Sequence, residues 1–211
     1  MFPARCIALR FQAELLKCQE KASSSSDTGY TLDNFAYGTT PFSSWLTLFS
    51  ERHIQDKVKD CLAAGEDYTV WGSSLGWLAF YGRLTYGLRT IGYEILEYLV
   101  ELSSNVAEKY DLKDDSLHFE VRDVLETSLA TTGILFLTSQ CWDRALKSKV
   151  YSKVEKELPV GSIVIDYSSE LKEYLGDAVA KCVAPSSWNA EQAFHVFQKQ
   201  KKSEIQQSTQ S

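Results

Sequence analysis

The segment from residue 68 to residue 94 constrains the fold of this 211-residue chain more than any other stretch. An apolar strand ends at Trp71, and the sequence Gly-Ser-Ser-Leu-Gly at positions 72–76 then forms a turn into a helix. A second strand follows and ends at Glu94. Two strands joined by one helix form a parallel βαβ unit, in which both strands end at the same edge of the sheet. The turn and Glu94 are therefore predicted to lie side by side at that edge.

The same alternation of strands and helices extends along most of the chain. Short strands separated by helices of roughly 10–15 residues are typical of a parallel sheet that is covered on both faces. We therefore predict a Rossmann-like α/β fold with a seven-stranded, mostly parallel sheet and helices on both faces. The predicted strands are residues 67–71, 88–94, 116–122, 134–138, 162–166, 181–184 and 194–198.

The first 62 residues have a different pattern. Apolar positions at helical spacing predict helices over residues 5–21 and 42–62, with polar loops between them. We interpret residues 1–62 as an N-terminal helical extension whose loop around Gly38 covers the site, and residues 63–199 as the Rossmann-like domain. Residues 200–211 are polar and are predicted to form a flexible tail.

Amino-acid composition and net charge indicate what kind of protein this is and which partners it is expected to bind. A hydrophobic content of 44% and a charged content of 24% are ordinary for a globular protein. The formal net charge of -6 repels phosphate backbones, so nucleic acid is not an expected partner. The five cysteines are scattered without a CxxC pair, which favours reduced thiols in the cytoplasm, although a nuclear or organellar location is left open. No metal site is predicted, and no apolar run has the roughly 18 residues of a membrane span.

The turn and the acid at residues 72–94 favour a nucleoside-containing ligand. Small residues let the backbone approach a ligand closely, and the helix that follows offers free amide groups at its N-terminus. Glu94 lies 22 positions after Gly72, where a carboxylate accepts hydrogen bonds from both ribose hydroxyls. The turn lacks a full GxGxxG, which favours S-adenosylmethionine, a cofactor without phosphate, over a dinucleotide. A tight βα turn followed by a solvated glutamate is the alternative explanation.

These motifs resemble those of a known family. The stretch Trp71-Gly72-Ser73-Ser74-Leu75-Gly76 followed by Gly92-Tyr93-Glu94 resembles the first two motifs of class I S-adenosylmethionine-dependent methyltransferases. The order of the motifs is similar to that of the disruptor-of-telomeric-silencing type of histone lysine methyltransferases. The further segments that carry this resemblance are Phe35-Ala36-Tyr37-Gly38-Thr39, Val121-Arg122-Asp123 and Phe136-Leu137-Thr138-Ser139-Gln140-Cys141-Trp142.

The resemblance implies a set of site residues. The cofactor-binding residues would be Tyr37, Gly38, Thr39, Gly72, Ser73, Ser74, Gly76, Glu94, Asp123, Thr138 and Ser139. In this set Glu94 would hold the ribose and Asp123 the adenine amine, while Gln140 and Trp142 would face the substrate. The chain departs from the family at Thr39, which replaces a glutamate, and at Ser74, which replaces a glycine. Thr138 and Ser139 stand where the family has a pair of asparagines.

The predicted function is methyl transfer from S-adenosylmethionine to a protein side chain or a small molecule, and no catalytic residue is assigned. Two alternatives stay open, namely a catalytically inactive S-adenosylmethionine-binding module and a nicotinamide-dependent oxidoreductase. Some candidates also have a purely structural interpretation. Tyr37 is either a lid residue or a packing residue, Trp142 is equally well a core aromatic, and Asp143 is expected to cap the following helix.

Overall fold

The computed structural model describes residues 4–24, 29–36, 38–112 and 115–201. Seven strands alternate with helices along the chain, and each strand except the last two is followed by a helix or a helical turn. The strands are β1 Asp67–Trp71, β2 Arg89–Glu94, β3 Leu117–Val121, β4 Thr132–Leu137, β5 Ile163–Asp166, β6 Ala180–Ala184 and β7 Gln192–Gln198. The α-helices are α1 Ala4–Ser23, α2 Phe42–Phe49, α3 Arg52–Ala64, α4 Trp77–Tyr86, α5 Glu97–Lys109, α6 Arg144–Glu157 and α7 Lys172–Leu175.

All seven strands belong to one sheet, in the order β3-β2-β1-β4-β5-β7-β6. The pairs from β3 through β5 are parallel, whereas β7 runs antiparallel to both β5 and β6. The predicted seven-stranded, mostly parallel sheet is therefore confirmed. The strand order reverses between β1 and β4, and ligands of open α/β sheets bind in the crevice outside the carboxyl ends of the strands at such a reversal.

The central strands are covered on both faces. Every residue of β1 and of β4 is buried, including the polar residues Asp67, Thr69 and Thr132, so neither strand alternates between buried and exposed positions. One buried cluster includes Trp45, Phe49 and Tyr68, and a second, built around α6, includes Trp71 and Tyr151. Neighbouring residues of β4 belong to different clusters, Phe136 to the first and Leu137 to the second, so the two clusters lie on opposite faces of the sheet.

The helix predicted over residues 42–62 is wrong in one respect, because the structure has two helices there. Residue Ser50 ends α2, and Glu51 adopts an extended backbone with φ -64° and ψ 138°. Its carboxylate accepts hydrogen bonds from the backbone N–H groups of His53 at 2.8 Å and of Ile54 at 3.3 Å. A side-chain cap of this kind begins a new helix at a point where the apolar spacing alone continues the old one.

The N-terminal segment lies against the carboxyl edge of the sheet. Phe11 of α1 packs on Tyr98 of α5, with 6.0 Å between the ring centroids. The Asn34 side chain donates to the backbone oxygen of Cys141 at 3.3 Å, and the Cys141 thiol donates to the backbone oxygen of Asn34 at 3.0 Å. Within the described part of the chain no helix has the length and apolar character needed to cross a membrane.

Candidate functional site

A cavity of about 510 Å³ opens at the carboxyl edge of the sheet. Residues that follow each of the first five strands line it, together with residues of the N-terminal segment between Leu15 and Thr40. The cavity therefore lies at the reversal of strand order between β1 and β4. This is the position where the fold binds ligands.

The turn at residues 72–76 brings its backbone to the wall of this cavity. The N–H groups of Gly72 and Ser73 both donate to the backbone oxygen of Tyr93 at 2.9 Å, which joins the ends of β1 and β2. Gly72 has a φ of 74°, and a Cβ atom there would lie 2.2 Å from Oγ1 of Thr138. That hydroxyl donates to the backbone oxygens of Trp71 and Gly72 at 3.0 Å. Glycine is therefore required at position 72 both by conformation and by space.

Glu94 holds the turn from the end of β2. Its side chain is buried, with 7% of the residue exposed. One carboxylate oxygen accepts from the N–H of Ser74 at 2.9 Å, and the other accepts from Ile95 at 2.9 Å and Leu96 at 3.0 Å. Burial raises the pKa of Glu94, and these three backbone hydrogen bonds oppose the rise. The contact also stabilises Ser74 at a φ of 52°, which is uncommon outside glycine.

Two hydroxyl groups at the turn lack a partner. The Oγ atoms of Ser73 and Ser74 are buried and form no hydrogen bond with any described residue, and both residues line the cavity. Buried polar atoms in folded proteins nearly always form hydrogen bonds, so two adjacent hydroxyls without partners in one cavity wall point to a polar ligand.

The side of the cavity beyond β3 is formed by Asp123 and Tyr30. The Tyr30 hydroxyl lies 2.8 Å from each carboxylate oxygen of Asp123, and Asp123 also accepts from the N–H of Leu125 at 2.8 Å. Burial, followed by the hydrogen bond to Asp123, raises the pKa of Tyr30. The neighbouring Arg122 lines the cavity and lies 3.4 Å from the carboxylate of Glu120. The hydroxyl of Tyr30 thus connects the N-terminal segment to the end of β3.

A buried carboxylate supports the opposite side. Asp166, at the end of β5, is fully buried and accepts hydrogen bonds from the hydroxyls of Ser139 and Tyr151, the latter at 2.8 Å. Burial raises the pKa of Asp166 to about 6, although these hydrogen bonds act in the other direction. Ser139 thereby points away from the cavity, while its neighbours Thr138 and Gln140 line it.

Aromatic residues complete this side. The Tyr167 hydroxyl lies 2.7 Å from the hydroxyl of Thr40, and the Tyr167 ring meets the Trp188 indole edge-to-face with 5.2 Å between centroids. The indole of Trp188 packs so closely on Gly38 that a Cβ atom there would lie 2.5 Å from it. Ser187 accepts from the N–H of Thr39 at 2.8 Å. The loop at residues 38–40 is therefore fixed to the two segments that follow β5 and β6.

The structure brings most of the predicted site residues together. The residues that line the cavity are Gly38, Thr39, Gly72, Ser73, Ser74, Glu94, Asp123, Thr138, Gln140 and Trp142. Ser139 and Gly76 do not line it, and Gly76 instead begins α4 at a φ of 79° under the ring of Phe119. Tyr37 lies outside the described residues, as does the predicted tail beyond residue 201. Asp143 caps α6 through the N–H of Leu146 at 2.8 Å, which confirms its structural interpretation.

Sequence reasoning missed several residues of the cavity wall. Tyr30 and Trp188 both line it, and each contacts a residue distant in sequence. Tyr167 also lines it, and its position directly after the predicted strand 162–166 is a local signal for that place. Leu96 also lines it, directly beside the carboxylate of Glu94. An apolar residue two positions after the acid is a local signal that would have indicated Leu96. No comparable local signal marks Tyr30 or Trp188.

Two solved structures share this architecture. An RNA methyltransferase from Salinibacter ruber in complex with S-adenosyl-L-homocysteine is 15% identical, with a TM-score of 0.55 over 72% of this chain and 94% of that one. The magnesium protoporphyrin IX methyltransferase from Synechocystis PCC 6803 with bound S-adenosylmethionine is 10% identical, with a TM-score of 0.54 over 88% of this chain and 97% of that one. No protein-family model and no curated protein sequence matches the chain. The chain therefore has the fold of class I S-adenosylmethionine-dependent methyltransferases.

Proposed function

We propose that this protein is an S-adenosylmethionine-dependent methyltransferase that acts on a small molecule or a protein side chain. The observation that carries the proposal is the pair of unpaired buried hydroxyls on Ser73 and Ser74, which lie beside the buried carboxylate of Glu94 in one cavity wall. A polar ligand at this wall would supply the missing hydrogen-bond partners.

The residues of the cavity fit S-adenosylmethionine in chemical character. The Ser73 and Ser74 hydroxyls would hold the amino-acid end, and Glu94 retains acceptor capacity for the ribose. Leu96 and Val124 offer an apolar surface to the adenine ring. When bound, this cofactor supplies an electrophilic methyl group on a positively charged sulfur.

The charges of the wall favour this cofactor over a dinucleotide. Among the described residues that line the cavity, three are acidic, Asp33, Glu94 and Asp123, and one is basic, Arg122. Acidic groups in the wall attract a positively charged ligand and repel a negatively charged one. A positively charged sulfonium is therefore favoured next to this wall, and the two negative charges of a pyrophosphate are not. The nicotinamide-dependent alternative is accordingly the weaker one.

The chain's own residues would act mainly by position. An in-line methyl transfer depends on proximity and orientation more than on acid–base groups. The N-terminal segment, held by Tyr30 at one side and by Thr40 at the other, would exclude water from the cavity. The narrower resemblance to histone lysine methyltransferases has no support from the two similar structures, so the acceptor is argued from the cavity itself.

Calorimetry on the full chain tests the cofactor. We expect both S-adenosylmethionine and S-adenosylhomocysteine to bind, because they share the adenosine and amino-acid parts. S-adenosylmethionine should bind more tightly, because its sulfur carries a positive charge that the neutral thioether lacks. We expect NAD to bind far more weakly than either. Binding of NAD alone would overturn the proposal in favour of a nicotinamide-dependent enzyme.

Transfer of a radiolabelled methyl group tests catalysis. Purified protein is incubated with labelled S-adenosylmethionine and separate pools of small molecules, cell protein and RNA. We expect label in the small-molecule or protein pool. Tight cofactor binding without transfer to any pool would reassign the protein as an inactive S-adenosylmethionine-binding module, and transfer to RNA alone would contradict the proposed acceptor classes.

A further inference from the structure

The charged and uncharged parts of the cavity wall are separated. Glu94 ends β2, and Arg122 and Asp123 follow β3. The remaining charged residue among the described lining residues, Asp33, is exposed in the N-terminal segment and follows no strand. The described lining residues that follow β4, β5 and β6 are uncharged: Thr138, Gln140, Cys141, Trp142, Leu146, Tyr167 and Trp188. The loop residues Gly38, Thr39 and Thr40, which pack against this side, are also uncharged. We call these two sets of residues the charged half and the aromatic half of the cavity.

Three aromatic rings dominate the aromatic half. Trp142 lies next to the turn, since a Cβ atom at Gly72 would lie 3.7 Å from its ring. Trp188 keeps 37% of its surface exposed although it lines the cavity. Tyr167 packs edge-to-face against Trp188 at an interplanar angle of 89°. Rings in these arrangements present faces and edges on which another flat ring packs favourably.

The polar atoms of the Trp188 and Tyr167 rings are already engaged. The Trp188 indole N–H donates to the side-chain oxygen of Gln192 at 2.9 Å, and the Tyr167 hydroxyl is paired with that of Thr40 at 2.7 Å. Burial raises the pKa of Tyr167, so its hydroxyl stays neutral. What the aromatic half offers a ligand is therefore mainly apolar ring surface, and bringing a charged group into it without a partner is costly.

We propose that the aromatic half is the acceptor-binding site and that it takes a small, flat, uncharged aromatic or heteroaromatic molecule. The inference rests on the proposed function, because it is the charged half that would hold the methyl donor. The position of Trp142 beside Gly72 places this surface next to the turn. A lysine side chain or a nucleic acid would bring a formal charge to this surface.

Calorimetry with three matched compounds tests the proposal. The full chain is saturated with S-adenosylhomocysteine and titrated with 2-naphthol, with decahydro-2-naphthol and with 2-naphthoate. These are a flat neutral molecule, its non-planar saturated counterpart, and a flat anion. We expect 2-naphthol to bind roughly tenfold or more tightly than either of the others. Equal affinity of the two alcohols, or tighter binding of the anion, would overturn the proposal without any variant being made.

Variants then locate the site. Trp188→Leu should weaken binding of 2-naphthol roughly tenfold, whereas Trp188→Phe, which keeps a ring face, should retain most of it. Tyr110→Leu is the control, because Tyr110 is 63% exposed at the end of α5 and does not line the cavity. Equal loss in Tyr110→Leu and Trp188→Leu would overturn the assignment.

The two proposals fail in distinguishable ways. Affinity for S-adenosylhomocysteine is measured separately in each protein. If it does not bind but 2-naphthol still binds and responds to Trp188→Leu, the proposed methyl donor is wrong and the aromatic site stands. If S-adenosylhomocysteine binds and 2-naphthol does not, the acceptor class is wrong and the proposed cofactor stands.

Discussion

The charged and aromatic halves of the cavity are built by different means. In the charged half, carboxylates at the ends of β2 and β3 accept backbone N–H groups close to them in sequence, as Glu94 does from Ile95 and Leu96. In the aromatic half, the carboxylate of Asp166 is fully buried behind the wall, and side chains from distant parts of the chain form the surface. The acids of the charged half are therefore fixed mainly by short-range contacts, with the contact of Tyr30 to Asp123 as a long-range exception, whereas the aromatic half is fixed by tertiary packing.

The largest expected effect concerns the buried acid of the aromatic half. Burial raises the pKa of Asp166 from the ordinary 3.8 to about 6, so the folded protein binds a proton more tightly than the unfolded chain between these values. The stability that this group contributes is therefore greatest at low pH and is lost as pH rises through about 6. The free energy of unfolding should therefore fall by roughly 2–3 kcal/mol between about pH 4 and pH 7 because of this group, and Asp166→Asn should abolish that fall. Urea unfolding of both proteins across that range measures it, and parallel curves would contradict it.

The next effect is a difference of ~2 kcal/mol between two glycine variants, one of them in the turn at the junction of the two halves. Gly72 and Gly87 have nearly equal φ values of 74° and 73°, but only a Cβ at Gly72 meets a close neighbour. Gly72→Ala and Gly87→Ala should each lose about 1–2 kcal/mol from the left-handed backbone. Gly72→Ala should lose a further ~2 kcal/mol from overlap with Thr138. Chemical denaturation gives both free energies of unfolding, and equal losses would show that the turn adapts to the added atom.

The prediction for the charged half is a loss of cofactor affinity. Glu94→Gln keeps the shape of the side chain but removes its charge and one acceptor site, so S-adenosylhomocysteine should bind about tenfold more weakly, by ~1.4 kcal/mol. Calorimetry measures the affinity, and thermal unfolding shows whether the variant is folded. Glu97→Gln is the matched control, since Glu97 is an exposed acid three positions further on. An unchanged affinity in Glu94→Gln would remove the ribose assignment.

The smallest expected effect concerns the phenol that closes the charged half. Tyr30→Phe removes the hydrogen bond to Asp123 and should lower the free energy of unfolding by about 1 kcal/mol. Tyr110→Phe removes an exposed hydroxyl and should change it by less than about 0.5 kcal/mol. Equal values for the two variants, measured by urea unfolding, would show that Tyr30 does not tie the N-terminal segment to β3.

The predictability of each half follows from the same difference. Alternating strands and helices were sufficient to predict the sheet, and the spacing of Gly72 and Glu94 predicted that the turn and the acid meet. The break between α2 and α3 depends on a side-chain cap by Glu51, which the apolar spacing does not encode. The contact between Tyr30 and Asp123 joins residues 93 positions apart, and that between Thr40 and Tyr167 joins residues 127 apart. Contacts of this range depend on the completed fold and leave no local pattern.

The link between the loop at residues 38–40 and the strand ends has a consequence during protein synthesis. Thr39 and Ser187 are 148 positions apart, whereas Ser74 and Glu94 are 20 apart. Because a chain emerges from the ribosome from its N-terminus, the turn and Glu94 are able to meet long before Ser187 has been made. The aromatic half is complete only when residues 38–40 and the segment around Ser187 have come together, so a nascent or C-terminally shortened protein would have the turn and Glu94 in contact but an unfinished aromatic half.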